Sequence, residues 1–212
     1  ALRPDEPLLG GNDVRLLVTG DEAYPRMFET IAAARSHIHL QTFILAHDEA
    51  GRRLMDLLLE RARAGVEVRL LFDRFGSTPS VLSGFVRRWR GAHPRLHLAG
   101  WTLAKPWRRQ FQLNLRNHRK ILVVDGRVAF TGGMNVSDVN VSRPGRPADR
   151  DFHFEVRGPV VQELQYSFLN DWHFMTGETA ERLLCAEHFP PQPAVGGDLV
   201  RVANGEPAEE SE

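Results

Sequence analysis

The chain carries one cysteine, Cys185, in 212 residues, so no disulfide within it is available to hold the fold. No apolar run approaches the ~18 residues that a membrane-crossing helix needs. The opening Ala1-Leu2-Arg3-Pro4-Asp5 lacks the order of a secretory leader. Net charge is also missing, because 27 Lys and Arg balance 27 Asp and Glu, which argues against a protein that grips nucleic acid by bulk charge. There are no internal repeats. Hydrophobic residues make up 42% of the chain, enough for one compact core without a second domain.

One absence is local. Between Arg87 and Lys120 there is no Asp or Glu, while Arg87, Arg88, Arg90, Arg95, Lys105, Arg108, Arg109, Arg116, Arg119 and Lys120 all fall there. Trp89, Trp101, Trp107 and Phe111 are interleaved with them. Rings and cations in this mixture suit a phospholipid interface, with rings at headgroup depth and cations on phosphate. They also suit a phosphate backbone with base stacking, or a solvated arginine face whose tryptophans are core. Trp89 divides evenly between surface and core. Pro106 interrupts regular structure, so Trp107, Arg108 and Arg109, with Arg116, are expected on a substrate-side loop as candidate headgroup or membrane contacts.

The hydrophobic patterning alternates between periods of two and 3.6. Strands are expected at 14–18, 37–45, 66–72, 95–98, 121–124, 128–131 and 152–156. Helices are expected at 22–34, 54–64, 81–90 and from Pro159 to about Met175, the last with Val160, Leu164, Phe168 and Trp172 on one face. This is an α/β fold with a mixed sheet between helical layers. Residues 139–150, rich in Pro and Gly, form a loop that is either a lid or a connector. The Glu-rich end from residue 205 has the composition of a disordered tail.

The densest chemistry is Asn117-His118-Arg119-Lys120-Ile121-Leu122-Val123-Val124-Asp125, which orders His, Lys and Asp as H-x-K-x4-D. Residues two apart on a strand share a face, so His118 and Lys120 should project together. A neutral imidazole beside a fixed ammonium can attack phosphorus while the cation holds the non-bridging oxygens. Asp125 is at an odd offset and precedes Gly126, which makes it a turn or structural residue. Gly132 and Gly133 would let backbone amides approach an oxyanion, and Asn135 adds a side-chain amide, completing a phosphate cradle that needs no metal. His37 and His39 share a strand face without a further ligand partner, so a metal reading there is weak. Gln41 and Asp73 lie at strand ends that commonly border a site.

With Gly132-Gly133-Met134-Asn135 following, the motif resembles the signature of the phospholipase D superfamily, and looks most like the N-terminal half of its bacterial cardiolipin synthase branch. Further similarity is seen in residues 32–41, 65–71 and 73–77, in Arg157-Gly158-Pro159 and in Asp171-Trp172, so it spans about 14 to 177. The resemblance implies a phosphatidyltransferase acting on phospholipid phosphodiesters. His118 would form a covalent phosphohistidine, Lys120 would bind phosphate with Gly132, Gly133 and Asn135, and no cofactor or metal would take part. It also places an acid after the 139–150 loop to orient the nucleophilic histidine. Asp151 is favoured, with Glu155 and then Asp149 behind it, and His153 reads as a packed strand residue.

Such proteins use a second histidine from a second copy of the motif, and this chain has one copy. The expected division is a lead-in at 1–12, a phospholipase D-like half-domain at 13–195, and the start of a missing second half or a tail at 196–212. The expected partners are a phosphatidylglycerol-like phospholipid, a membrane surface reached peripherally from the cytoplasmic side, and a second half-domain or a second copy. Nucleic acid is disfavoured. Two alternatives stand: a phosphodiesterase or nuclease active as a homodimer, and an isolated non-catalytic half that binds lipid.

Overall fold

The structure, a computed structural model, describes residues 7–101 and 118–203. The candidate contacts Trp107, Arg108, Arg109 and Arg116 lie outside the described residues. Eight strands form one sheet: β1 (Leu9–Leu17), β2 (His37–Thr42), β3 (Glu67–Asp73), β4 (Leu96–Trp101), β5 (Ile121–Val124), β6 (Val128–Gly132), β7 (His153–Arg157) and β8 (Asp198–Val200). Their spatial order is β4-β3-β2-β5-β6-β7-β1-β8. The pairs among β2, β3 and β4 are parallel and the rest are antiparallel, so the sheet is mixed as expected.

Helices cover both faces. α1 (Gly20–Ala32) and α2 (Glu49–Arg63) bury Ile31, Leu54, Met55 and Leu58 against Ile38, Leu40, Leu70, Leu122 and Phe130. The Asp48 side chain caps α2 by accepting from Gly51 N at 3.0 Å. On the opposite face α5 (Val161–Thr176) sets Val161, Leu164, Phe168 and Trp172 on Leu71, Ile121, Val123 and Ala129. The short α6 (Ala180–Leu183) follows it. β5 is buried on both faces, which is why its sequence is a continuous apolar run rather than an alternation.

The structure departs from the sequence patterning in two places. The helix expected at 81–90 is two five-residue helices, α3 (Thr78–Leu82) and α4 (Phe85–Trp89), because Gly84 between them has φ +78°, a left-handed conformation no helix continues through. β2 stops at Thr42 although apolar residues run on to Leu45. There Ile44 N donates to Asn135 Oδ1 at 3.0 Å instead of to a strand. At the edge of the sheet β1 begins at Leu9, and β8 pairs with it antiparallel. Trp89 is core, at 5% exposure.

The 139–150 loop is tied at several points. Asp138 accepts from Glu49 N and Ala50 N at 3.0 and 2.9 Å and pairs with Arg143, while Asp149 N donates to Val139 O at 2.9 Å. These bonds fit a connector fastened to the start of α2. His39 is a packed core histidine, with Nδ1 2.9 Å from Gln165 Nε2 and Nε2 3.3 Å from the Arg69 guanidinium, and its ring stacks on Phe168.

Candidate active site

The C-terminal ends of β2, β3 and β6 and the N-terminal ends of β5 and β7 meet along one edge of the sheet, because Gln41 pairs with Ile121, Ile121 with Thr131 and Gly132 with His153. His118, two residues before Lys120, sits at this edge and is exposed, whereas Lys120 is 4% exposed. The pleat delivers the two side chains to one place. Lys120 Nζ lies 2.8 Å from His118 Nδ1 and 3.1 Å from Nε2, and donates to His118 O at 2.7 Å. Lys120 is one of two lysines in a chain whose other basic residues are arginines.

The electrostatics favour a neutral imidazole. Burial and then the Lys120 charge lower the His118 pKa, while Asp151 and Asp73 push it back up. Lys120 is itself drawn down to about 8, mainly by burial, with Asp151 opposing the shift. An ammonium donating to a ring nitrogen requires that nitrogen to be unprotonated, so the contact and the shifts agree.

Asp151 and Glu155, left as alternatives by the sequence, part company here. Glu155 is committed to structure: Arg26 pairs with its Oε2, and Arg157 Nε and Nη2 donate to Oε1 at 3.1 and 3.0 Å. Asp149 is 66% exposed by side chain, 4.0 Å from Arg146. Asp151 acts on both His118 and Lys120 through its charge. It is anchored by Phe152 N, which donates to Oδ1 at 2.7 Å, and by its own N–H to Val18 O at 3.1 Å.

The glycine pair has a different use from the amide cradle that the sequence suggested. Gly133 N already donates to Phe152 O at 2.8 Å. What the pair provides is room: a Cβ on Gly133 would stand 2.1 Å from Asp151 Oδ1, and one on Gly132, at φ +148°, would meet Phe152 O at 2.3 Å. Asn135 spends its carbonyl oxygen on Ile44 N, which leaves the two N–H donors of its amide for another acceptor.

The remaining candidates are structural or distant. Asp125, at φ 52°, closes the opposite end of β5 by accepting from Arg35, Ser36 and His37 N–H groups at 2.9, 2.8 and 3.0 Å. Gln41 Nε2 donates to Asp171 Oδ2 at 2.9 Å. Asp73 Oδ1 accepts from Phe75 N and Gly76 N, each at 2.8 Å, forming a turn beside the site. His153 is buried and held down to about 4 by burial. Sequence reasoning passed over Phe43, whose ring centroid is 4.7 Å from that of His118. In an apolar run after a strand, nothing distinguishes such a residue from core.

Comparison with known proteins places this geometry. Residues 27–172 match the family model described as cardiolipin synthase, phospholipase D-like domain. Cardiolipin synthase A of Pseudomonas aeruginosa is 41% identical over 207 residues, covering 97% of this chain and 41% of that protein. A cardiolipin synthase of Geobacillus is 36% identical over 190 residues, covering 88% of this chain and 36% of its own length. The chain thus spans about two fifths of the curated relatives it matches.

Among solved structures, the phosphatidylserine synthase of Haemophilus influenzae superposes with a TM-score of 0.59 at 15% identity, over 79% of this chain and 38% of that one. Nuc of Salmonella typhimurium, a phospholipase D family member, gives 0.54 at 14% identity, over 76% of this chain and 95% of that one. These two share the fold. With a family model matched across more than half its length, the chain belongs to the phospholipase D superfamily, in its cardiolipin synthase-like branch.

Proposed function

We propose that this chain is the nucleophile-bearing half of a phosphatidyltransferase acting on phospholipid phosphodiesters such as phosphatidylglycerol. The observation that carries the reading is the contact of His118 with Lys120 at an open sheet edge, and the Asp151 charge, which raises the pKa of both, supports it. An imidazole nitrogen bonds to phosphorus as the P–O bond to the departing alcohol breaks. A general acid supplies the proton the alcohol takes. The conjugate base of that acid then takes the proton of a second alcohol, whose oxygen bonds to phosphorus as the N–P bond breaks and the imidazole returns. Lys120, with the N–H donors of Asn135, holds the non-bridging oxygens, and Asp151 stabilises the cationic imidazole.

The general acid would come from a second half-domain or a second copy of the chain. One observation supports a partner. Val14, Leu16 and Phe154 alternate onto the face that α5 covers over β2, β4, β5 and β6, and there Leu16 of β1 is 48% exposed and Phe152, the residue before β7, 59%. Among the described residues no helix is long and apolar enough to cross a membrane.

A second reading is a phosphodiesterase working as a dimer of copies, each supplying the single H-x-K-x4-D that the chain carries. Product analysis separates the two. With labelled phosphatidylglycerol, the protein containing both halves should release glycerol and form a diphosphatidyl product, and His118→Ala should abolish it. Release of phosphatidic acid alone, or cleavage of DNA at a comparable rate, would favour hydrolysis.

A further inference from the structure

Phe43 is the first residue beyond β2, and both groups assigned above to phosphorus lie against its ring. The His118 imidazole is 4.7 Å away between centroids, tilted by 53°, and the Lys120 ammonium is 5.6 Å from the same centroid. The ring is fixed from behind. A Cβ on Gly76 would stand 2.9 and 3.0 Å from Phe43 Cε1 and Cδ1 and 2.4 Å from Phe43 O, so only glycine lets the turn close on it. Asp73 holds that turn through the N–H groups of Phe75 and Gly76. The backbone is pinned on both sides, by Ser77 Oγ donating to Phe43 O at 3.3 Å and by Ile44 N donating to Asn135 Oδ1 at 3.0 Å.

We infer that Phe43 is a positioning residue: the platform that sets the orientation of the His118 ring and meets it as it becomes cationic. An exposed histidine on a strand lead-in has several rotamers, and attack on phosphorus needs one. The phenyl ring closes one side of the imidazole. It is also the electron-rich surface against which a positive ring is favoured when the nitrogen bonds to phosphorus. Phe43 touches no reacting atom in this role. Its effect passes through His118, and through Gly76 and Asp73 behind it.

This rests on His118 being the nucleophile, and the test separates the two claims. In the 212-residue chain labelled at histidine, the His118 Cε1–H resonance should carry a ring-current displacement. Phe43→Leu should lose it and Phe43→Tyr should keep it. Gly76→Ala, which would press on the Phe43 ring from the turn, should disturb it as Phe43→Leu does. With phosphatidylglycerol vesicles, the limiting rate of adduct formation should fall roughly tenfold in Phe43→Leu, the half-saturating lipid concentration should be unchanged, and Tyr should restore the rate. If Phe43→Leu does not fold, Phe43→Met carries the same test. A Leu or Met variant whose His118 resonance and limiting rate match the parent overturns the inference. If the parent forms no adduct even with a partner half carrying the second histidine supplied, the nucleophile reading fails, and the resonance alone decides whether Phe43 holds the ring.

Discussion

Arg119 Nη1 stands 3.0 and 2.9 Å from the two carboxylate oxygens of Asp171, so the residue between His118 and Lys120 is tied to α5. The strand pleat sends His118 and Lys120 to one face and Arg119 to the other. Gln41 on β2 donates to the same carboxylate at 2.9 Å. The lead-in to the motif is thereby held to both a neighbouring strand and a helix. Because Asp171 is 8% exposed by side chain and Arg119 30%, Asp171→Ala should cost about 2 kcal/mol, below the figure for a fully buried pair. Urea unfolding measures this. A loss within error of zero would mean that the pair does not anchor the strand.

Removing the Asp151 charge has a definite sign. That carboxylate raises the pKa of His118, Lys120 and His153. In Asp151→Asn all three should therefore titrate lower, as followed by NMR. Gly133→Ala should produce the same direction at His118 by displacing the carboxylate from its seat. A rise in either variant would contradict the placement of Asp151.

Lys120→Met should slow adduct formation by about a hundred- to a thousandfold, the loss of about 3 kcal/mol that accompanies removal of one oxyanion donor. The His118 pKa should rise at the same time, since the Lys120 charge is one of the causes lowering it. An unchanged rate would remove Lys120 from the chemistry. An unchanged pKa would remove it from contact with the ring.

Stability should weaken on the acid side well before the carboxylates titrate. Burial holds His37 and His153 down to about 4 and His39 well below its usual 6.5. Between 6.5 and 4 the unfolded chain takes up protons that the folded chain refuses, so this stability is full above 6.5 and is lost as pH falls through 4. Each unit of depression contributes about 1.4 kcal/mol. Urea midpoints measured from pH 7 to 4.5 should fall, and His153→Gln should flatten the slope. A flat profile in the parent chain would contradict the burial of these neutral rings.

The sheet and its helices were legible because β5 is an uninterrupted apolar run, β2 and β3 carry Ile38 and Leu40, and Val68, Leu70 and Phe72, at period two, and α2 and α5 keep helical spacing. Period two also carried the expectation that His118 and Lys120 meet. The parts that were not legible depend on partners far along the chain. Glu155 stood as an alternative to the favoured Asp151 until Arg26, 129 residues away, was seen to occupy it. The glycine pair suggested free amides, and only the fold shows Phe152 accepting from Gly133 and the Asp151 carboxylate filling the space above it. Gly84 was hidden inside an otherwise helical pattern, since sequence does not reveal the sign of φ. Phe43 had no signal at all, because its neighbours His118 and Gly76 come from other elements.

The most direct test of the account is the intact mass of the chain after brief incubation with phosphatidylglycerol vesicles and an acid-free quench, beside a His118→Ala control. Phosphohistidine is stable enough at neutral and alkaline pH to be seen. The account predicts a phosphatidyl increment on the parent chain, mapped to His118 and absent from the control. It predicts the same result when a partner half carrying the second histidine is supplied, with the increment then turning over. An unmodified chain under both conditions, or an adduct that survives in His118→Ala, would contradict it.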